Sequence, residues 1–99
     1  MAPQPGPGDP ARGRVALQQY GCPSCHVIPG VSGAKVNVGP PLSGIAARKY
    51  IAGRLPNTRE NMVRWLRGPQ RINPETAMPD LGVTPGHAHD IAAYLERLR

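Results

Sequence analysis

Two cysteines stand three residues apart with a histidine directly after the second, in the stretch Cys22-Pro23-Ser24-Cys25-His26. Thiols at this spacing suit several chemistries. They can cycle between dithiol and disulfide or supply half of a zinc tetrahedron. They can also each add to a vinyl group of a haem while the neighbouring imidazole reaches the iron.

The first two need partners that the chain does not offer. A redox Cys-x-x-Cys belongs beside a βαβ pattern, and no run of alternating β-branched residues is present to supply the strands. A zinc site needs further ligands, yet His87 and His89 are two residues apart instead of the usual three to five. The pentapeptide has the spacing of covalent haem attachment. It predicts a single haem c bound through Cys22 and Cys25, with His26 as one axial ligand.

The rest of the composition agrees. A chain of 99 residues is one small domain, and this one has no Phe, one Trp and three Tyr. Gly 12 and Pro 13 together make a quarter of it, and both favour turns over packing. A large flat apolar cofactor would supply the missing core. The formal charge of +6 points to an acidic partner, and haem propionates would lower it without making the protein acidic. The cations are scattered and no aromatics are interleaved with them, which argues against nucleic acid and for steering toward an acidic protein surface. No apolar run is long enough to span a membrane, and Met1 to Pro10 lacks the apolar core of a secretory signal. Resemblance to proteins with this pentapeptide implies haem attachment outside the cytoplasm, so either a signal has been removed or the chain is an excised domain of an exported or membrane-anchored protein, with Met1 an artificial start.

The elements that must position the motif follow from local signals. Residues 1–8 are a Pro/Gly-rich linker or tail, and residues 9–99 form the domain. Asp9-Pro10 opens a helix that runs to Tyr20 and stops at Gly21, delivering the pentapeptide. Residues 27–42 read as an ordered loop ending in Gly39-Pro40-Pro41-Leu42. That end can lend the carbonyl which a ligating histidine needs for its second ring nitrogen. Ser43 caps a short helix to Lys49, and Tyr50 to Pro56 reads as a loop. Asn57 and Glu60 have capping-box spacing before a helix with Met62, Val63, Trp65 and Leu66, which ends at Arg67-Gly68-Pro69. Trp65 brings an indole N–H that a propionate oxygen could accept. An irregular segment then carries Met78-Pro79, 52 residues after His26 and so far enough along the chain to return to the other haem face. Thr84-Pro85 opens the last helix, which runs to Leu98 with Arg97 and Arg99 at its negative end. His87 and His89 fall in its first turns as surface residues.

Taken together, residues 9–98 resemble class I monohaem cytochrome c. The shared features are Gly13 and Leu17 before Cys22-x-x-Cys25-His26, then Gly39-Pro40-x-Leu42, the Trp65 helix, Met78-Pro79 and Ile91-Ala-Ala-Tyr94-Leu95. The resemblance implies an all-α fold, three main helices and a short one wrapped around the haem. It implies that the Pro40 carbonyl accepts the His26 N–H, that Met78 is the sixth ligand, and that the terminal helices cross at Gly13 against Tyr94. The stretch from Asn57 to Met78 is most similar to the cytochrome c domain fused to bacterial copper-A oxidase subunits. That likeness implies propionate contacts from among Tyr50, Arg54, Asn57 and Trp65, without choosing between them, and places Leu42 in the haem wall. The implied function is one-electron transfer on the periplasmic or extracytoplasmic side of a membrane, within a respiratory chain and toward a terminal oxidase or its copper-A domain. The implied protein is a carrier and not an enzyme. A peroxidase-like enzyme or a ligand sensor would require Met78 to leave the iron.

Overall fold

The computed structural model describes residues 8–22, 26–31 and 41–99. Helix α1 (Pro10–Gln19) starts as its sequence dictates: Pro10 takes the first helical position and the Asp9 carboxylate accepts the Ala11 N–H at 2.8 Å. Tyr20 closes it and Gly21, with φ 74°, turns the chain away. A 3₁₀ turn (Ile45–Ala47) follows, then a hairpin of two short antiparallel strands, β1 (Tyr50–Ile51) and β2 (Leu55–Pro56). Helix α2 (Arg59–Arg67) runs into Gly68, and the short α3 (Pro69–Ile72) begins directly after it. Helix α4 (Pro85–Leu95) is capped by the Thr84 hydroxyl, which accepts the His87 N–H at 3.3 Å.

The terminal helices form the frame. Ala16 and Leu17 of α1 are buried against Ala88, Ile91, Ala92 and Leu95 of α4, and Met62, Trp65 and Leu66 of α2 join the same cluster. Gly13 is where the backbones meet: a Cβ there would lie 1.9 Å from the Asp90 carbonyl oxygen. Tyr94, the expected partner, sits one turn further along α4 and sends its hydroxyl to the Pro29 carbonyl at 2.6 Å. Asp90 is buried beside the crossing, where its carboxylate accepts the Asp9 N–H at 2.8 Å and the Arg12 Nε–H at 3.3 Å. Of the expected linker, residues 1–7 lie outside the described residues. Gly8 packs on α4, with room for no Cβ beneath the His89 carbonyl.

Other boundaries move for identifiable reasons. The cap of α2 is Thr58, whose hydroxyl accepts the Asn61 N–H at 3.1 Å. Asn57 is drawn elsewhere, its amide donating to the carbonyls of Ile45 at 3.0 Å and Arg48 at 2.8 Å. The helix expected from Ser43 shrinks to the 3₁₀ turn, which Gly44 opens at φ 73° without a side-chain cap. Helix α4 stops at Leu95 because the chain turns to let the Leu98 carbonyl accept the Ala46 N–H at 2.9 Å. Arg97 and Arg99 thus lie past its end.

Helices α2 and α4 are also tied by Arg59, which grips Glu96 with Nη2 at 2.7 Å and Nε at 2.5 Å. The hydrogen bonds from the Arg59 guanidinium hold the Glu96 carboxyl below its ordinary value of 4.5 and raise Arg59 in turn. A depressed carboxylate stabilises the fold above its unfolded value and loses that contribution as pH falls through the folded one. The pair is half open to water, so Glu96→Gln is expected to cost only about 0.5 to 1 kcal/mol at neutral pH. The cost should fall away in acid, as pH drops below 4.5 and then through the lowered value of the folded state, where both chains carry a neutral side chain. Urea unfolding of both chains at neutral and acid pH checks this, and an equal cost at both would reject the ion pair as its source.

Candidate functional site

The end of α1 sets the first wall of the site. Gly21 reverses the chain after the helix, and the His26 N–H donates to the Cys22 carbonyl at 3.1 Å, which keeps the two residues together. Cys25 lies outside the described residues. The segment after His26 is held from three sides. Leu42 N–H donates to the Val27 carbonyl at 2.9 Å, Arg14 Nη1 donates to the Gly30 carbonyl at 3.0 Å, and Tyr94 holds Pro29. The first of these brings the Pro41-Leu42 stretch alongside His26. Pro40 itself lies outside the described residues.

A second wall comes from the segment after α3. The Asn73 carbonyl accepts the Thr76 N–H at 3.0 Å, and the Thr76 hydroxyl accepts the Met78 N–H at 3.2 Å. These bonds fold the segment so that Met78 and Pro79 face a cavity of ≈ 640 Å³ shared with Cys22 and His26. Its floor is apolar, with Leu17, Met62, Trp65, Leu66 and Leu95 from the three long helices and Leu42 and Ile51 from the middle of the chain. A cavity of that size and character suits a large, flat, apolar cofactor.

The structure thus brings together Cys22, His26, Leu42, Tyr50, Trp65 and Met78 on one wall system. Trp65 is buried, whereas Tyr50 is 59% exposed and stands at the rim. Arg54 and Asn57 are not on that wall. Arg54 follows Gly53 in the turn of the hairpin and is exposed, while the Asn57 amide is committed to the 3₁₀ turn. Among the described residues the cation that does line the cavity is Arg48, whose Nη2 donates to the Pro41 carbonyl at 2.7 Å. Its signal in the sequence, a lone Arg beside Lys49, does not separate it from Arg54. Among the described residues no three His, Cys, Asp or Glu side chains converge as a metal cluster would require. The two late histidines differ from each other. His87 is exposed, but His89 is half-buried, with Nδ1 enclosed and without a hydrogen-bond partner.

Residues 10–99 match the family described as Cytochrome c. The chain belongs to the cytochrome c family. Membership brings a covalently bound haem c with its iron, and the cavity is fit to receive it: thiol, imidazole and thioether donors share one apolar wall, with a guanidinium present to meet carboxylates. Cytochromes c carry electrons. The chain is 33% identical over 91 residues to cytochrome c oxidase subunit 2 of Alkalihalophilus pseudofirmus, which covers 89% of this chain but only 25% of that protein. The fold is similar to that of cytochrome c2 from Rhodobacter sphaeroides, with a TM-score of 0.63 at 22% identity over 92% of this chain and 96% of that one. No helix among the described residues is long and apolar enough to cross a membrane.

Proposed function

We propose that this chain is a one-electron carrier with a closed iron, its haem attached through Cys22 and Cys25 and ligated by His26 and Met78. The observation that carries the reading is that Cys22, His26 and Met78, from segments far apart in the chain, line the same apolar cavity. The bound haem supplies the ferrous–ferric couple. The protein supplies the rest. Met78 offers a soft, neutral thioether that favours the ferrous state, and the Leu and Trp floor keeps out the water that would stabilise an added positive charge. Both raise the reduction potential. Thr76 fixes the backbone of Met78 and so keeps its sulfur in place without straining for it. Arg48 is the group best placed to pair with a propionate.

The partner we propose is an acidic surface on a respiratory oxidase or its copper-A domain, on the extracytoplasmic side of the membrane. The likeness to part of an oxidase subunit and the basic charge of the chain support it.

The decisive measurement is the absorption spectrum of the oxidised protein, which should show the weak long-wavelength band of methionine-ligated ferric haem. Met78→Ala should abolish that band completely and Met62→Ala should leave it. Met62 is the informative control because its thioether lines the same cavity. A native protein without the band, or a Met78→Ala variant that keeps it, overturns the closed-iron reading; loss on Met62→Ala instead would transfer the ligand role.

A further inference from the structure

One titratable pair connects the cavity to solvent. Tyr20, the residue that closes α1, lines the cavity, and its hydroxyl lies 2.7 Å from Nδ1 of His87 in the first turn of α4. The rings meet edge to face, with centroids 5.5 Å apart and planes at 71°. The same hydroxyl receives the Thr84 N–H at 3.5 Å. His87 is exposed, so protons reach it from water, while its contact is with a residue of the haem wall.

We propose that His87 is a redox-linked proton site, binding solvent protons more tightly when the haem gains an electron and releasing that excess on oxidation. This rests on the cavity being the haem site, as read above. The coupling has two physical parts. The first is charge: an added electron removes one positive charge from the cavity, so an imidazolium behind its wall becomes less costly. The second is the direction of the hydrogen bond. Phenol oxygen both donates and accepts, and with His87 neutral and Nδ1 bare the Tyr20 O–H donates to Nδ1 while the oxygen accepts from Thr84. With His87 protonated, Nδ1–H must donate to the same oxygen, and the phenol proton turns to another acceptor. Protonation therefore reverses a dipole in the cavity wall.

Charged groups on the adjoining segments hold other partners. Arg67 of α2 spends its Nε–H on the Val83 carbonyl at 3.4 Å, and Asp80 accepts the Gly82 N–H at 3.0 Å. On α4, Asp90 is committed to Asp9 and Arg12. His89 is a histidine of the same helix but has no place on the cavity wall or on Tyr20, which makes it the natural control.

Linkage is reciprocal: if reduction strengthens proton binding at His87, deprotonation lowers the reduction potential by the same free energy. For an exposed imidazolium acting through one side chain, we expect proton affinity to rise about two- to fivefold on reduction. At 59 mV per tenfold for one electron, that is a fall in potential of about 20 to 40 mV. The fall should lie in the range where imidazoles titrate, between about pH 5 and 8.

The test uses the holoprotein, with its oxidised spectrum recorded first. A chain that carries no haem overturns the cavity reading itself. With haem present, potentiometry across that pH range should show the step in the native protein and in His89→Gln. It should be absent in His87→Gln and reduced in Tyr20→Phe, which keeps the ring but loses the hydroxyl. Ring-proton NMR of the same samples should place the His87 titration at different pH in the ferrous and ferric forms. A step that survives His87→Gln, or identical His87 titrations in the two oxidation states, overturns the proposal.

Discussion

Replacing both Cys22 and Cys25 by serine, so that haem is no longer held covalently, is expected to leave a chain without its native fold. The reason is the size of the cavity relative to everything packed around it. Buried voids cost about 24 cal/mol per Å³, so leaving ≈ 640 Å³ unfilled has an upper bound of about 15 kcal/mol. That equals or exceeds the whole stability of a small domain, about 5 to 15 kcal/mol. Collapse of the walls or entry of water lowers the cost, but either outcome also abandons the native packing. The remaining core is weak: among the described residues the largest fully buried side chains are Leu17, Ile91 and Pro69, and four of the fourteen buried apolar residues are alanines. Far-UV circular dichroism and amide NMR of the haem-free variant check this. The expected result is loss of a cooperative melt and of resonance dispersion. A dispersed spectrum with a sharp melt in the haem-free chain would show that the terminal helices and α2 carry the fold unaided.

What the sequence discloses and what it withholds divides along a physical line. Helix ends are set by contacts within a few residues, and these are legible: Asp9-Pro10, Gly21, Gly68-Pro69 and Thr84-Pro85 all stand where α1, α2 and α4 begin or end. Asn57 against Thr58 shows the limit. Both have cap chemistry, and the choice falls to Thr58 because Asn57 is claimed by carbonyls nine and twelve residues back. The hairpin is invisible for another reason, since strands of two residues are too short to display a period. Arg48 and Arg54 are indistinguishable as letters; a turn at Ala52 and Gly53, both with positive φ, separates the one that lines the cavity from the one that does not. The residues that line the cavity are more legible than their supports. Cys22 and His26 are marked by spacing, and Met78 by Pro79 and its distance along the chain. Tyr20 and His87, 67 positions apart in the chain, carry no signal that either would touch the other.

Gly13→Ala is expected to cost at least about 2 kcal/mol, although alanine is the better helix former by about 1 kcal/mol. Two effects oppose each other here and distance decides. A Cβ on Gly13 would meet the Asp90 carbonyl oxygen at 1.9 Å, its carbon at 2.5 Å and the Ile91 nitrogen at 3.0 Å. All three are backbone atoms of a helix, so no side chain can rotate away and α1 and α4 must separate. Separation carries Asp90 from Asp9 and Arg12, Tyr94 from the Pro29 carbonyl, and His87 from Tyr20. The consequences therefore reach both the loop behind His26 and the proton site. Gly86 provides the matched control. It lies in α4 with helical φ, and nothing stands within 4 Å of its added Cβ. Gly86→Ala should thus gain up to about 1 kcal/mol from propensity alone. Urea unfolding of the two variants beside the native holoprotein measures both signs. If Gly13→Ala were as stable as Gly86→Ala, the helices would not meet at Gly13, and the crossing that sets the geometry of the site would have to lie elsewhere.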